Sequence, residues 1–108
     1  MDVEFVSRVR STLGETDHPY ATGVFRPCIE EVNVPSLQIL EGAVPRDVAG
    51  VYIRNTEQPT HAPLGKYHPF DGDAMLHQVR ISGGIVSYRN RFVRTAGFRA
   101  EQKAGCSL

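Results

Sequence analysis

The sequence predicts a mainly β protein with one short helix near its N-terminus. Two stretches rich in β-branched and aromatic residues, Gly50–Arg54 and Met75–Ile81, have the composition and alternation typical of strands. Ser82-Gly83-Gly84 follows the second stretch and has the composition of a tight hairpin turn. We therefore expect a return strand from Ile85 to about Thr95, with Val86, Tyr88 and Phe92 on one side.

The helix is predicted from the first fourteen residues. Val6, Val9 and Leu13 recur at helical spacing and would share one face. Asp2 is suited to cap the start of this helix, and Gly14 is suited to end it.

After this helix the chain is expected to be extended and then to form strands and loops. The segment from Glu15 to Pro35 is polar and contains three prolines, which is typical of an extended arm. Leu37 and Ile39 alternate with a polar residue and predict a short strand, whereas residues 55–69 predict a long loop. Residues 1–35 are thus expected to form the helix and arm, and residues 36–108 the β unit.

Length and charge restrict the class of protein. A chain of 108 residues and 12.0 kDa is one small domain or a piece of a larger protein. Twelve basic and twelve acidic residues give no net charge, which disfavours a nucleic-acid partner. Alternation also places Tyr88 and Phe92 opposite Arg89 and Arg91, so the arginines are interpreted as a solvated strand face. No apolar run or signal-peptide pattern is visible, and a cytoplasmic location is expected.

No complete catalytic or metal site is predicted from the residues alone. Asp71-Gly72-Asp73 lacks the later ligands of a calcium loop and is better explained as a turn whose aspartates accept backbone N–H groups. No nucleophile elbow or phosphate-binding glycine loop is present. Two distant cysteines form no disulfide framework or zinc motif. The histidines, whose spacings match no compact metal motif, are His18, His61, His68 and His77.

Several motifs in order resemble the N-terminal part of the carotenoid cleavage oxygenases. They are Gly50–Asn55 (GVYIRN), Tyr67–His77 (YHPFDGDAMLH) and Arg89–Thr95 (RNRFVRT), and the similarity extends over about residues 18–105. The pattern is closest to bacterial members, including lignostilbene-type dioxygenases. The resemblance implies a seven-bladed β-propeller, of which residues 36–108 would be the first strands or blade.

The resemblance also implies an activity for the full-length family. Its members hold Fe(II) through four histidines and use O2 to split a conjugated double bond into carbonyl products. The implied substrates are apolar polyenes or stilbenes: carotenoids, apocarotenoids or stilbenes. Peripheral membrane contact is compatible with such substrates, and no defined protein partner is implied.

Only one site residue carries over to this chain. Phe70 matches the phenylalanine of Phe-Asp-Gly that lines the substrate cavity in relatives. The family's iron ligands match positions beyond this chain, and His68 and His77 occupy positions that the family does not use as ligands. We therefore expect no catalytic residue, no metal ligand and no stoichiometric iron in these 108 residues.

Two departures from the family pattern are visible. Ala74 stands where the family usually has glycine, which would be strained if that backbone required a positive φ. Asn55–Pro59 also differs from the commoner Asn-Gly-Pro-Asn-Pro.

Two alternatives to an oxygenase fragment remain open at this point: a non-enzymatic truncated relative that acts as a binding module, and a non-functional remnant. On any of these interpretations a lone blade would expose apolar faces and unpaired strand edges. The isolated chain is expected to be inactive, and poorly folded or prone to aggregation.

Overall fold

The described part of the chain forms one antiparallel five-stranded sheet and one α-helix. The structure is a computed structural model that describes residues 1–14, 22–66 and 71–108. The strands follow the spatial order β1-β2-β5-β4-β3. In chain order the elements are β1 (Glu4–Arg8), a 3-10 turn (Gly23–Phe25), β2 (Glu30–Val34), β3 (Gly50–Gln58), β4 (Asp73–Ser82), β5 (Ile85–Phe92) and α1 (Ala96–Ala104). The prediction of a mainly β fold is confirmed.

The β4–β5 hairpin confirms the strongest local prediction. The two strands pair without interruption from Ser82 opposite Ile85 to Met75 opposite Phe92. Gly83 and Gly84 have φ of 59° and 81°, the left-handed values that a two-residue hairpin turn of the right twist requires at both positions. We call the face that carries Met75, and with it Phe92, the Met75 face.

Strand β3 is longer than predicted. It pairs with β4 from Gly50 opposite Ile81 to Gln58 opposite Asp73. Residues 55–58, which we expected to begin a long loop, therefore belong to the strand. Cross-strand pairing outweighs the weak strand propensity of Asn55 and Glu57.

The predicted N-terminal helix is wrong, because residues Glu4–Arg8 form strand β1. Phe5 pairs with Val32 of β2, and the Val9 amide donates to the Ile29 carbonyl at 2.9 Å. An isolated amphipathic helix of this length is only marginally stable, so pairing with a neighbouring strand decides the conformation.

The segments on either side of Pro35 also differ from the prediction. Glu30–Val34, expected within the extended arm, is strand β2, and Val34 pairs with Tyr88 of β5. Leu37–Ile39, expected as a strand, has no strand pairing apart from one hydrogen bond from the Leu37 amide to the Val86 carbonyl at 2.7 Å. Strands from both sides of residue 35 thus share one sheet.

Helix α1 was missed by the sequence interpretation, although its caps are visible in the sequence. The Thr95 side chain accepts from the Phe98 amide at 3.1 Å, as an N-cap does. Gly105 ends the helix with a φ of 76°. The return strand stops at Phe92 because Thr95 begins this helix. Within residues 1–14, 22–66 and 71–108, the structure contains no helix with the length and hydropathy of a membrane span.

The core is small and lies where α1 meets the Met75 face. Met75, Phe92 and Phe98 are buried together, with Val9 packed against them. The Phe92 and Phe98 rings stack with centroids 5.2 Å apart. Burial in this cluster explains why α1 remains on the sheet, since a nine-residue helix is not stable alone.

Candidate functional site

The residue predicted to contact substrate, Phe70, lies outside the described residues, as does His68. His18, in the N-terminal arm, lies outside them as well. The structure does describe the Asp71–Asp73 turn that directly follows Phe70 and leads into β4.

Gly72 lets the turn lie directly against strand β3. A Cβ placed at this position would stand 2.4 Å from the Gln58 nitrogen and 2.6 Å from the Gln58 carbonyl carbon. Real side chains do not tolerate such distances to backbone atoms, so the glycine is required by the close approach. Ala74, in contrast, does not have a positive φ, so the strain considered at that position is absent.

Asp73 fixes the chain that leaves β3. Its Oδ2 accepts from the Thr60 hydroxyl at 2.8 Å and from the Thr60 amide at 3.3 Å. Thr60 is buried with 1% of its surface exposed. This pairing confirms, for Asp73, the expectation that an aspartate of the turn accepts a backbone N–H group.

A cavity of about 250 Å³ lies between this turn and α1. Its walls include Thr60, His61, Asp73 and Glu101, with Lys66 at one side. His61 is 2% exposed, and its Nε2 lies 3.4 Å from the Gln102 amide nitrogen. Since an amide nitrogen only donates, Nε2 accepts and Nδ1 carries the proton. That buried Nδ1 has no hydrogen-bond partner in the structure.

His77 belongs to a hydrogen-bonded chain across three strands. Its Nε2 lies 2.9 Å from the Thr56 hydroxyl, and its Nδ1 lies 2.6 Å from the Tyr88 hydroxyl. Thr56 also donates to the Met75 carbonyl at 3.4 Å. One assignment satisfies every group: Tyr88 donates to Nδ1, Nε2–H donates to Thr56, and Thr56 donates to Met75.

The electrostatics of this chain favour a neutral imidazole. Burial lowers the pKa of His77, and the nearby charge of Arg54 lowers it further. Burial also raises the pKa of Tyr88, with a further rise from Cys28 and an opposing effect of the hydrogen bond with Asn90. Both groups are therefore neutral near neutral pH and act as hydrogen-bonding rather than charged groups.

On the Met75 face, the buried side-chain amides of Gln58 and Asn90 form hydrogen bonds with backbone groups of residues 28–32. The Gln58 side chain accepts from the Cys28 amide at 2.7 Å and donates to the Cys28 carbonyl at 2.8 Å. Asn90 accepts from the Val32 amide at 2.7 Å and donates to the Glu30 carbonyl at 3.1 Å. Each side-chain amide thus satisfies one backbone N–H group and one backbone C=O group.

Glu31 is a fully buried carboxylate that sequence reasoning missed. It accepts hydrogen bonds from the Ser7 hydroxyl, from the Phe92 amide at 2.9 Å and from the Arg94 guanidinium at 2.9 Å. Burial would raise the pKa of Glu31, but the hydrogen bonds from Arg94, Ser7 and Phe92, together with the charge of Arg94, outweigh burial. They lower the pKa from 4.5 to about 2.

The described histidines do not fit a metal site. No group of three or more histidine, cysteine, aspartate or glutamate side chains within the described ranges has a geometry that could hold a metal ion. His77 uses both ring nitrogens in its hydrogen-bonded chain, and the free nitrogen of His61 is buried.

One known protein family matches most of the chain. The model of the family described as retinal pigment epithelial membrane protein matches residues 25–108. This match includes β2 to β5 and α1, and it also includes the Tyr67–His77 segment.

Curated relatives have sequences of the same kind. The probable chloroplastic carotenoid cleavage dioxygenase 4 of Arabidopsis thaliana is 37% identical over 84 residues, which are 78% of this chain and 14% of the relative. The resveratrol cleavage oxygenase 1 of Aspergillus fumigatus is 35% identical over 93 residues, which are 85% of this chain and 18% of the relative. The chain thus spans less than a fifth of either relative.

Solved structures give the same result. The lignostilbene dioxygenase of Pseudomonas brassicacearum superposes with a TM-score of 0.82 and 29% identity over 90% of this chain and 20% of its own. A Synechocystis apocarotenoid oxygenase mutant superposes with a TM-score of 0.60 and 36% identity over 72% of this chain and 16% of its own.

Proposed function

The chain belongs to the carotenoid cleavage oxygenase family, and on this premise we propose that it is the N-terminal part of an iron-dependent dioxygenase. The whole enzyme would use O2 to cleave a conjugated double bond of a carotenoid, an apocarotenoid or a stilbene into carbonyl products. One observation carries the proposal most strongly. This chain superposes on the lignostilbene dioxygenase of Pseudomonas brassicacearum over 90% of its length, with 29% identity.

In this proposal the five-stranded sheet is one blade of a seven-bladed propeller, and the iron ligands lie in the remainder of the enzyme. The hydrogen bonds of the buried polar side chains favour a structural rather than a catalytic role for this blade. The side chains of Glu31, Gln58 and Asn90 all form hydrogen bonds with other segments of the chain. The iron of the family would supply oxygen activation outside this chain, and the 108 residues alone would be inactive.

The experiment is a chimera with the lignostilbene dioxygenase of Pseudomonas brassicacearum. The segment of that enzyme that matches this chain is replaced by the 108 residues, and the cleavage of lignostilbene by the chimera is measured. We expect a soluble chimera that cleaves the substrate, because the chain supplies the same blade. The matched control receives the corresponding part of the Synechocystis apocarotenoid oxygenase. A functional control beside a chimera that is insoluble or inactive would contradict the proposal.

We propose that Phe70 contributes to the wall of the substrate cavity. The Phe-Asp-Gly motif supports this role, and the Gly72 contact with Gln58 anchors the turn that follows Phe70 against the sheet. In the chimera, Phe70→Ala should raise KM for the stilbene by about tenfold or more, since an apolar contact of a phenylalanine is worth roughly 1.5–3 kcal/mol. Phe25→Ala, at a half-exposed ring in the 3-10 turn, is the control and should leave KM unchanged. Equal KM values for the two variants would exclude a substrate contact by Phe70.

A further inference from the structure

The segment that follows strand β1 contacts two parts of the chain that are distant from it in sequence. We call residues 9–13 the strap, and we call residues 60–62, which follow β3, the β3 exit. Arg10 of the strap exchanges hydrogen bonds with the Gln102 side chain in the last turn of α1, and its guanidinium donates to two carbonyls of that turn. Thr12 of the strap forms hydrogen bonds with the β3 exit. The strap thus joins α1 to the β3 exit.

The contact with the β3 exit uses both the backbone and the side chain of Thr12. The Thr12 amide donates to the Thr60 carbonyl at 3.2 Å, and the Thr12 hydroxyl accepts from the Ala62 amide at 2.8 Å. These two hydrogen bonds lie on either side of His61 in the sequence. Thr60 also donates to Asp73, so the connection continues to the turn at the start of β4.

The two segments that the strap joins also meet each other directly, at His61. The Gln102 side chain donates to His61 Nε2 at 3.4 Å, which is long for a hydrogen bond. Beyond the end of α1, the Ser107 hydroxyl donates to the Ala62 carbonyl at 2.8 Å. Within the described ranges, the strap therefore makes most of the hydrogen bonds that hold α1 and the β3 exit together. His61, which is 2% exposed, is buried where they meet.

The strap is itself anchored in the core. Val9, its first residue, packs against the buried cluster of Met75, Phe92 and Phe98. The Val9 amide also donates to the Ile29 carbonyl at 2.9 Å, which continues the pairing of β1 with β2. All of these contacts lie within the chain, so the strap does not depend on any surface being free.

We propose that the strap, α1 and the β3 exit open and close as one cooperative unit, and that the closed unit covers His61. The side chain of Arg10 bonds the α1 end and that of Thr12 bonds the β3 exit, so a change at one end reaches the other through the strap. Losing the Arg10 contacts should therefore release the β3 exit, and losing the Thr12 hydroxyl should release the end of α1. Local units that open together are a general property of folded chains.

Amide hydrogen exchange in the 108-residue chain tests this coupling at the end that each substitution does not touch. Arg10→Ala removes the guanidinium from α1 and should speed the exchange of the Ala62 amide, which is bonded to Thr12. Thr12→Val removes the hydroxyl from the β3 exit and should speed exchange in the last turn of α1. Both effects should be roughly 5–30-fold, the range expected for the loss of one or two hydrogen bonds.

Two matched variants are the controls. Arg8→Ala, at an exposed arginine of β1, should leave exchange at both ends unchanged. Thr12→Ser keeps the hydroxyl and should retain the native exchange rates. Amides of the β4–β5 hairpin serve as the internal reference and should also keep their native rates. An effect confined to the substituted end would overturn the proposal, and so would a hairpin that exchanges faster by the same factor, since that would be global unfolding.

Chemical modification of His61 provides a second measurement. Diethyl pyrocarbonate reacts with accessible imidazole groups, and mass spectrometry of peptides separates His61 from the other histidines. His61 should react slowly in the native chain and faster in both Arg10→Ala and Thr12→Val. Native reaction rates in both variants would overturn the proposal, and so would a native chain whose His61 reacts as fast as in urea. Neither measurement depends on the proposed catalytic function.

Discussion

At the scale of single residues, buried polar groups connect the segments of this sheet. Glu31 is the clearest case, because its carboxylate is buried while the side chain of its partner Arg94 remains 43% exposed. The guanidinium also lies 5.9 Å from the centre of the Phe98 ring, which links the ion pair to the core. A carboxylate in this position stays charged and holds β1, β2 and the end of β5 together.

The lowered pKa of Glu31 predicts a loss of stability in acid. The folded state keeps the carboxylate charged down to about pH 2, whereas the unfolded chain binds the proton near pH 4.5. Stability from this group is therefore present above pH 4.5 and is lost as the pH falls from 4.5 towards 2. The shift corresponds to a loss of up to about 3 kcal/mol in the free energy of unfolding.

Urea unfolding at a series of pH values measures this effect. Glu31→Gln should be less stable than the native chain at neutral pH and should lose much of the pH dependence between 4.5 and 2. Glu30→Gln, at the exposed neighbouring position, is the control and should retain the native pH dependence. If the two variants behave alike, Glu31 is not the group that titrates.

Gly72→Ala should destabilise the chain because its Cβ would collide with the backbone of Gln58. We expect a loss of about 1–3 kcal/mol in the free energy of unfolding, the usual cost of overpacking. Gly65→Ala is the control, since a Cβ at Gly65 meets nothing within 4 Å. A Gly72→Ala variant as stable as Gly65→Ala would show that the turn does not require the glycine.

The burial of Asn90 could have been predicted from the sequence, whereas the burial of Glu31 could not. Alternation along β5 places Asn90 on the same side as Tyr88 and Phe92, and a polar residue on an apolar strand face signals a buried amide. Glu31 is separated by 63 residues from its partner Arg94. No local pattern reveals such a distant pair.

At the scale of elements, predictability follows the sequence distance between the pairing segments. The β4–β5 hairpin was predicted correctly because its turn and both of its strands are adjacent in sequence. Strand β1 was predicted as a helix because its partner β2 lies more than twenty residues further along the chain. Helix α1 was missed although Thr95 and Gly105 mark its ends.

The end of α1 is fixed to the chain that follows β1. The Gln102 side chain accepts from the Arg10 amide and donates to the Arg10 carbonyl, both at 2.8 Å. In return, the Arg10 guanidinium donates to the Gln102 carbonyl at 2.9 Å and to the Lys103 carbonyl at 3.3 Å. A cation at a helix C-terminus also interacts favourably with the helix dipole.

Gln102→Ala should therefore loosen α1. Losing two hydrogen bonds should cost about 1–3 kcal/mol, and amide hydrogen exchange of α1 should become correspondingly faster. Lys103→Ala, at an exposed side chain of the same helix, is the control and should leave the exchange rates nearly unchanged. Unchanged exchange in Gln102→Ala would show that this contact does not hold the helix.

At the scale of the whole molecule, the sheet buries few apolar side chains and leaves several large ones exposed. Among the residues that the structure describes, its buried apolar cluster consists of Met75, Phe92 and Phe98, with Val9 packed beside it. Large apolar side chains of β3, including Tyr52 and Ile53, remain more than half exposed. Such a distribution is expected of a part of a larger β structure, and so small a core predicts a low free energy of unfolding for the 108-residue chain.

We propose that these residues supply a blade of a dioxygenase and that the iron ligands lie elsewhere in the enzyme. The most direct measurement is the iron content per polypeptide after anaerobic loading with Fe(II), compared between the 108-residue chain and the lignostilbene dioxygenase chimera. We expect no stoichiometric iron in the chain and one equivalent in the chimera. One equivalent held tightly by the chain alone, or a folded chimera that holds none, would contradict the claim.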